Sequence, residues 1–414
     1  MKLKDKTRRD NVGYMVDGIT HIIKTFEKRP PGSKGERDAQ MYMASELEKT
    51  MDRVWTEDFT LHPGAFMGWI YITVAFLLLA FASFWFYRLL TLICIVLALI
   101  PLVTQLILYK EAYDPLFKKK TSLNVVSVKK PKGEVKRRII LNGHADATWE
   151  WTLLYKFGFG AFKGVFLGSV IGVLYFVALS IISLSINGFQ YQPPSMVMTI
   201  LGIIGGVVFL PFWIALIWFS DEKTVVDGAN DNLTGCYVPM ATVKALKEEG
   251  IELENTELMV VLSGSEEAGL RGAKRFAAAH QDMKEDVETI VIPFETIREK
   301  EHFSIFERDL NMTVPTDRKV LHLLKKAGNN IGLDLKVGVV ELGATDAAAF
   351  TQGGFKSVCV GAMDHNLKPY YHTRMDTYDN LDEETLGIAL DLAVETVSLF
   401  DKEGLTEELP KGAK

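Results

Sequence analysis

The sequence predicts an α/β domain, in which a mostly parallel mixed sheet is flanked by helices, together with four transmembrane helices in two hairpins. Two observations support this prediction. Long apolar stretches interrupt a chain of 414 residues, of which 24% are charged and 48% are hydrophobic. The polar segments between these stretches alternate between helical and strand patterns, which is typical of a parallel sheet covered by helices.

The first apolar stretch, residues 67–109, predicts one transmembrane hairpin. Its only charged residue is Arg88. A single helix of that length would overshoot a hydrocarbon core about 30 Å thick, since a helix rises about 1.5 Å per residue. We therefore expect two spans, near residues 67–86 and 89–109.

The second apolar stretch, residues 164–220, predicts another hairpin because it contains no charged residue. A turn predicted over residues 187–194, from its Asn-Gly and Pro-Pro pairs, divides it into spans near 164–186 and 195–219. Buried helices of a soluble protein are the alternative for both stretches. The length of the runs without charge disfavours that alternative.

The charges beside the apolar stretches predict an orientation in the membrane. Two hairpins leave three polar segments, residues 1–66, 110–163 and 221–414, on one side as a single domain. Six lysines lie near the spans on that side, namely Lys110, Lys118, Lys119, Lys120, Lys156 and Lys163. The other side carries only Arg88. The positive-inside rule therefore predicts an integral membrane protein whose polar domain and both termini are cytoplasmic.

Composition argues against several other classes of protein. A net charge of −6 gives no reason to expect a nucleic-acid partner. The three cysteines form neither a metal-binding nor a disulfide pattern. The charged N-terminal residues are not followed closely by an apolar run, so they do not predict a secretory signal peptide. A lipid bilayer is thus an expected partner, and the sequence leaves the oligomeric state open.

The polar segments contain the patterns of an α/β domain. Helices are predicted at residues 16–26, 36–51, 235–249, 270–280 and 383–400. Strands are predicted at residues 53–61, 122–128, 136–142, 257–262, 289–293, 335–340 and 357–360. In folds of this kind, functional residues gather at the carboxyl ends of the strands.

Histidines and carboxylates recur where these predicted strands end. One strand runs into His144 and Asp146, and another runs into Glu266 and Glu267. A carboxylate near a histidine can fix the tautomer that metal binding requires. Of two adjacent carboxylates, one can bind a metal while the other accepts a proton.

Three further residues complete a possible metal site. Asp231 lies in a loop rich in Asp and Asn, Glu295 follows a predicted strand, and His372 lies beyond the last predicted strand. Each motif alone has an ordinary explanation, such as a surface histidine, a helix N-cap or an acidic first turn. Together with His144 and Glu267, they supply two imidazoles and three carboxylates, which suit a pair of zinc ions with one bridging carboxylate.

The motifs resemble those of the dizinc aminopeptidase family, whose relatives include glutaminyl cyclase and the ectodomains of glutamate carboxypeptidase and the transferrin receptor. Residues 29–33 resemble the start of that family's domain. Residues 143–146, 230–235, 266–272 and 372–377 resemble its metal and base motifs. The resemblance covers nearly all of the polar domain and implies a zinc aminopeptidase-like fold.

The resemblance implies a role for each of seven residues. By this resemblance, one zinc would be bound by His144 and Glu295, and the other by Glu267 and His372. Asp231 would bridge the two ions. Glu266 would be the general base and acid, and Asp146 would orient His144. Two zinc ions are expected, although another divalent metal would suit the same donors. The implied activity is hydrolysis of peptide bonds by an aminopeptidase.

The sequence also departs from the family pattern. Glu295 stands where many relatives have Asp, and Asp346 is followed by Ala347 where the family usually has His. The two hairpins are the largest departure. Carboxypeptidase-type relatives with a separate lid domain are disfavoured, because the interval from Glu295 to His372 leaves little room for an inserted domain.

Other functions remain open at this point. A glutaminyl-cyclase-like aminoacyl transferase would use one zinc on the same frame. An inactive membrane receptor or scaffold is disfavoured, because such a protein would have no reason to keep every metal ligand. A transporter is disfavoured because the expected spans contain no charged residue except Arg88, which lies at a turn.

Short connections join the metal motifs to the second hairpin. Asp146 precedes the span that is expected to begin near residue 164, and Asp231 follows the one that is expected to end near residue 219. At no more than about 3.5 Å per residue, neither connection carries the metals far from the bilayer. We therefore expect an active-site mouth near the headgroup layer, partly walled by residues 149–163, and a peptide substrate that is apolar or membrane-associated. A purely anchoring role for the hairpins is the alternative.

Overall fold

The computed structural model describes residues 2–188, 193–364, 366, 368–410 and 412. Over these residues the chain forms eleven α-helices and twelve β-strands. Helices α1 to α11 are, in chain order, Asp5–Thr25, Lys34–Leu47, Gly64–Phe84, Arg88–Pro101, Thr152–Asn187, Met196–Ala215, Thr234–Glu248, Arg271–Ala279, Arg318–Ile331, Asp346–Gln352 and Glu383–Glu403. Strands β1 to β12 are Arg53–Leu61, Lys120–Lys129, Arg137–His144, Trp149–Glu150, Asp221–Val225, Thr256–Ser263, Glu288–Ile297, Phe303–Asp309, Val314–Pro315, Lys336–Val339, Lys356–Ser357 and Val360–Ala362.

The chain divides into two compact units. The α/β unit consists of Met1–Pro63, Lys119–Thr148 and Val225–Lys414. The helical unit consists of Gly64–Lys118 and Trp149–Thr224. In this division residues 64–66, 110–118, 149–163 and 221–224 belong to the helical unit, and the domain limits predicted from the sequence stay a prediction.

The α/β unit is built on one mixed sheet with helices around it. The main order of its strands is β1-β2-β6-β3-β7-β12-β8-β10, with β11 beside β7 and β9 beside β8. The centre is parallel, because β3 runs parallel to both β6 and β7, and β12 runs parallel to β7. Strands β3, β6 and β7 are almost fully buried and read as continuous apolar runs, as central parallel strands must. The predicted α/β fold is confirmed.

Two glycines allow helix α7 to approach this sheet closely. A Cβ atom on Gly143, in β3, would lie 2.1 Å from the carbonyl oxygen of Gly235. A Cβ atom on Gly235, at the start of α7, would lie 2.2 Å from the carbonyl oxygen of Phe294 in β7. Only glycine fits at either position without moving the backbone. The loop before α7 is therefore held against the ends of β3 and β7.

Several elements differ from the sequence prediction. Helix α1 begins eleven residues before the predicted start, and the strand predicted over residues 357–360 is divided between β11 and β12. The sequence pattern did not predict β4, β5, β8, β9, α9 or α10. Helix α9 carried a recognisable signal, because Asp317 caps its N-terminus, its apolar residues recur at helical spacing and Gly332 ends it with a φ of +77°.

The helical unit contains four helices that are long and apolar enough to cross a membrane, counting only the residues that the structure describes. They are Gly64–Phe84, Arg88–Ile107, Thr152–Ile186 and Met196–Trp218. Helix α5 begins twelve residues before the predicted third span and is interrupted at Gly158, whose φ is +77°. The first turns of α5 carry Lys156 and Lys163, whereas the third span was predicted to begin where the residues without charge begin, at residue 164. Residues 189–192 of the turn predicted over residues 187–194 lie outside the described residues.

Aromatic side chains form much of the core of the helical unit. Phe84, Phe176 and Trp213 are almost completely buried in a cluster shared by helices α3, α5 and α6. The Trp213 indole donates to the carbonyl oxygen of Ser169 at 3.1 Å. Arg88 is also buried, with 1% of its surface exposed. The Arg88 side chain is therefore covered by protein, whereas Phe86 in the same turn is 59% exposed.

Candidate metal centre

Three carboxylates of the α/β unit surround the imidazole of His144, the last residue of β3. The His144 Nε2 atom lies 3.3 Å from Asp231 Oδ1, 3.5 Å from Glu295 Oε1 and 3.7 Å from Glu266 Oε2. The parallel register of β3 and β7 explains the contact with Glu295, since it pairs Asn142 with Pro293 two residues earlier in both strands. Glu295 lies within β7, whereas the sequence placed it just after the strand.

A second imidazole approaches the same aspartate from its other oxygen. The His372 Nε2 atom lies 2.8 Å from Asp231 Oδ2 and 3.3 Å from Glu267 Oε1. His372 has a φ of +52°, and the ring of Tyr371 stacks on it at 4.0 Å. Asp231 thus presents one carboxylate oxygen to each histidine, which is the arrangement a bridging ligand needs.

The loop that carries Asp231 is fixed by a second aspartate. The Asp376 carboxylate accepts hydrogen bonds from the backbone N–H groups of Asn230 and Asp231, at 2.9 and 3.0 Å, and from the Asn230 side chain at 2.8 Å. The peptide bond between Asp231 and Asn232 is cis. The Asn232 side chain then donates to the carbonyl oxygen of Phe294 at 2.9 Å and to Glu295 at 3.2 Å.

The loop that carries Glu266 and Glu267 is fixed by Asp146. Its two carboxylate oxygens accept hydrogen bonds from the backbone N–H groups of Glu266 and Glu267, each at 3.0 Å. Its Oδ1 atom also lies 3.3 Å from His144 Nδ1. Asp146 is therefore placed to orient His144, and it additionally holds the loop that follows β6, which sequence reasoning did not anticipate.

The donor set of this site fits zinc. One donor atom each from His144, Asp231 and Glu267 lie within 4.8 Å of one another, and all three residues are buried. The buried Asp231 Oδ2 and Glu267 Oε1 atoms have no hydrogen-bond partner among the described residues. Unpaired carboxylate oxygens that converge on imidazole nitrogens are poorly satisfied by the protein alone. A divalent cation bound by nitrogen and oxygen ligands would satisfy them.

Electrostatics support the same interpretation. Burial would raise the pKa of Asp231, but the His372 and His144 imidazoles hold it well below its usual range. Burial and repulsion from Asp231 raise the pKa of Glu267 to about 8, although His372 opposes the shift. Burial and repulsion from Asp231 and Asp346 raise the pKa of Glu295 to about 7, against the effect of His144. The carboxylates thus carry more negative charge than the protein compensates, which a bound cation would correct.

All seven residues singled out in the sequence lie at this centre: His144, Asp146, Asp231, Glu266, Glu267, Glu295 and His372. The roles predicted for them stay predictions. Sequence reasoning missed the supporting roles of Asp376, Asn230 and Asn232, although the amide-rich loop before α7 was a usable signal. Asp346 accepts a hydrogen bond from the Ser263 hydroxyl, so it is tied to the end of β6.

Comparisons with known proteins agree with the fold and the motifs. Residues 217–397 match Peptidase family M28. The structure is similar to an aminopeptidase from Aneurinibacillus sp. strain AM-1, with a TM-score of 0.57, 14% identity and coverage of 99% of this chain and 98% of that one. It is also similar to a zinc aminopeptidase from Bacillus subtilis, with a TM-score of 0.55, 13% identity and coverage of 93% and 94%.

A glutaminyl cyclase from Bacteroides thetaiotaomicron is similar as well, with a TM-score of 0.53, 13% identity and coverage of 96% of this chain and 98% of that one. At these identities the likeness to solved structures concerns the fold. A search of curated protein sequences gave no match. The family match and these structures confirm the resemblance to the dizinc aminopeptidase family and its glutaminyl cyclase relatives. The family match supports a peptidase, and the donor set described above fits zinc.

We expect the metal-free protein to lose thermal stability as the pH rises. The pKa values of Glu267 and Glu295, about 8 and about 7 in the folded chain, lie above the value of about 4.3 for an unfolded glutamate. The folded state therefore binds protons more tightly, and this stabilisation is complete below pH about 4.3 and is lost as the pH rises through about 7 and 8. Because zinc would replace the protons, the zinc-induced rise in Tm should be larger at high pH. Thermal melts of the chelated and zinc-loaded protein in detergent measure both effects.

The matched variant is Glu267→Gln, which removes one of the titrating groups. The Tm of the metal-free variant should depend less on pH than that of the parent. A zinc-induced rise in Tm that is the same at low and high pH would contradict the prediction.

Proposed function

We propose that this protein is a membrane-embedded zinc metallopeptidase of the aminopeptidase type, which holds two zinc ions. The observation that most supports two ions is the placement of Asp231, whose Oδ1 faces His144 and whose Oδ2 faces His372. His144 and Glu295 would hold one ion, and Glu267 and His372 the other. When bound, the ions would activate a water molecule and polarise the substrate carbonyl.

In the proposed reaction, Glu266 moves the protons. It accepts a proton from the attacking water and returns it to the leaving amine. Burial, together with repulsion from Glu267 and Glu295, raises the pKa of Glu266 well above its usual range, although His144 opposes the shift. A base with a raised pKa takes up the proton more readily, and the same group can then serve as the acid. Asp146 holds the backbone N–H group of Glu266 and so keeps the base beside the ligands.

A glutaminyl-cyclase-like aminoacyl transferase is the second candidate, because the fold is also similar to that of a glutaminyl cyclase. The two functions differ in product and in metal content. A peptidase releases a free amine from a peptide and here would use two zinc ions. A cyclase would form pyroglutamate from an N-terminal glutamine and would use one.

Replacing Glu266 should separate metal binding from turnover. The Glu266→Gln variant should keep its fold and about two zinc ions per chain, as the parent should, because Glu266 is not a proposed ligand. Its rate of peptide hydrolysis should fall by about 10²–10⁴-fold, the range typical of general-base catalysis. Elemental analysis and a peptide-library digestion with detergent-purified protein measure the two quantities.

The control for this experiment is Glu301→Gln, which changes an exposed carboxylate of the α/β unit. It should leave both zinc content and rate unchanged. Near-parental hydrolysis by Glu266→Gln would refute the assigned base. A parent that is active without metal would refute the proposed function, and pyroglutamate as the sole product with one zinc per chain would favour the cyclase.

We further propose that the four apolar helices cross a membrane and that the metal centre faces the cytoplasm. The proposal is supported by the length and apolar character of the helices and by the lysines that flank the two hairpins in the sequence. Reporter fusions at Lys414 should be active only with reporters that work in the cytoplasm. Activity of an extracytoplasmic reporter at that position would reverse the orientation and leave the chemistry unaffected.

The proposed substrate is a peptide, or a peptide-like amide, that is itself apolar or membrane-associated. The proposal is supported by the short connections between the metal motifs and the apolar helices. The α/β unit ends at Thr148, shortly after Asp146, and the helical unit begins at the next residue, Trp149. In proteoliposomes, cleavage of lipid-tethered or hydrophobic peptides should exceed that of soluble di- and tripeptides. Trp149→Ala should reduce this preference.

Trp151 is unsuitable for the same test, because its ring packs on Phe162 and Phe219 at 5.3 and 4.9 Å within the helical unit. Its removal would disturb that unit directly. Equal cleavage of soluble and tethered peptides, with no effect of Trp149→Ala, would reduce the hairpins to an anchor.

A further inference from the structure

The turn between helices α1 and α2 supplies no metal ligand, yet it contacts the segments that do. Arg29 is 2% exposed, and its guanidinium donates only to backbone oxygens among the hydrogen bonds the structure shows for it. These acceptors are the carbonyl oxygens of Ala145 at 2.9 Å, Asp227 at 2.7 Å and Gly228 at 3.1 Å. Arg29 therefore ties the segment after His144 to the loop before Asp231.

Glu36, in the first turn of α2, makes the corresponding contact with the loop that carries Glu266 and Glu267. Its side chain is fully buried. The Oε1 atom accepts hydrogen bonds from the backbone N–H group of Ser265 at 2.6 Å and from its hydroxyl at 2.9 Å. The Oε2 atom accepts from the N–H group of Gly32 at 2.7 Å, and Ser33 caps the helix by accepting from the N–H group of Glu36 at 3.1 Å.

Ser265 needs such support because of its backbone conformation. Its φ of +56° and ψ of +42° lie in the left-handed region, which a non-glycine residue adopts only when its surroundings hold it there. The next residue is Glu266. The N–H groups of three consecutive residues, Ser265, Glu266 and Glu267, thus donate to two buried carboxylates, those of Glu36 and Asp146.

This support matters more for Glu266 than for Glu267. As a proposed ligand, Glu267 would also be held by its metal ion, whereas a general base has no such attachment. The position of Glu266 therefore depends on the backbone that carries it. A base that is displaced from the reacting proton loses rate steeply, because proton transfer requires hydrogen-bond distance.

We propose that Glu36 is a positioning residue for Glu266, acting through Ser265. The inference rests on the proposed function, in which Glu266 is the general base. Glu36 is not one of the proposed metal ligands, and its oxygens accept from Gly32 and Ser265. It fixes the left-handed residue from which the base-bearing loop starts, while Asp146 fixes the two residues that follow.

The test compares Glu36→Gln with Glu48→Gln, an exposed carboxylate just beyond the C-terminus of the same helix. A glutamine at position 36 keeps the shape of the side chain but cannot accept from both Gly32 and Ser265 as a carboxylate does. The first measurement is hydrogen exchange of metal-free protein in detergent, which needs no activity. Exchange of the peptide covering residues 263–270 should become several-fold faster in Glu36→Gln, since a typical hydrogen bond contributes a factor of about two to ten, and should not change in Glu48→Gln.

The second measurement is the kinetics of the zinc-loaded enzyme. In Glu36→Gln, kcat should fall about tenfold or more while KM and bound zinc stay within about twofold of the parent. The Ser265→Ala variant removes only the hydroxyl donor and should lower kcat several-fold. If Glu36 acts through Ser265, the double variant should lose less than the product of the two single losses.

The outcomes distinguish a positioning role of Glu36 from a general structural role. Unchanged exchange of residues 263–270, or an unchanged kcat in folded Glu36→Gln, overturns the proposal. A fall in kcat that matches a loss of zinc shows a general structural role and also overturns it. If Glu36→Gln does not fold, Ser265→Ala decides, and parental kcat in that variant overturns the proposal. A parent without zinc-dependent hydrolysis refutes the proposed function instead, and the exchange result still reports whether Glu36 fixes the loop.

Discussion

Burying Asp146, Asp231, Glu266, Glu267 and Glu295 at one edge of a sheet is costly, because each ionised carboxylate loses its hydration. The α/β unit meets this cost in two ways. Backbone N–H groups satisfy some of the oxygens, as with Asp146 and its two amide donors. Other oxygens, such as Asp231 Oδ2, face an imidazole nitrogen without a hydrogen bond, so that a cation would satisfy both atoms. The arrangement of the surrounding loops follows from these two requirements.

The loops reach the site in unusual backbone conformations. Ser265, Leu270 and His372 all have positive φ values, and none of them is glycine. Such conformations are unfavourable for residues with a Cβ atom and persist only where surrounding contacts hold them. Carboxylates supply many of these contacts, through Glu36 and Asp146 on one loop and Asp376 on another. Carboxylate side chains therefore have two roles here. An inner layer of them lies at the proposed metals, and an outer layer accepts hydrogen bonds from the backbone of the loops.

The sequence predicted the inner layer better than the outer one. His144, Glu266 and Glu295 were recognisable because strand patterns and chemically suitable residues lie next to each other in the chain. The contact of Glu36 with Ser265 joins residues 229 positions apart, so no local pattern reveals it. The early start of α5 was missed for a different reason. Lys156 and Lys163 lower the hydropathy of its first turns, although lysine is a good helix former.

The positions at which the two hairpins are inserted explain why the α/β unit accommodates them without a change in its sheet. The first hairpin lies between β1 and β2, which pair antiparallel with Leu61 opposite Lys120. The second lies between Thr148 and Val226, and the Val226 N–H group donates to the carbonyl oxygen of Thr148 at 3.1 Å. In both places the chain leaves the α/β unit and returns to it at neighbouring backbone positions, so each insertion replaces what would otherwise be a short loop.

An inserted segment that crosses a membrane and returns to its starting point must cross an even number of times. Pairs of apolar helices are therefore the form that a membrane-crossing insertion has to take at these two positions.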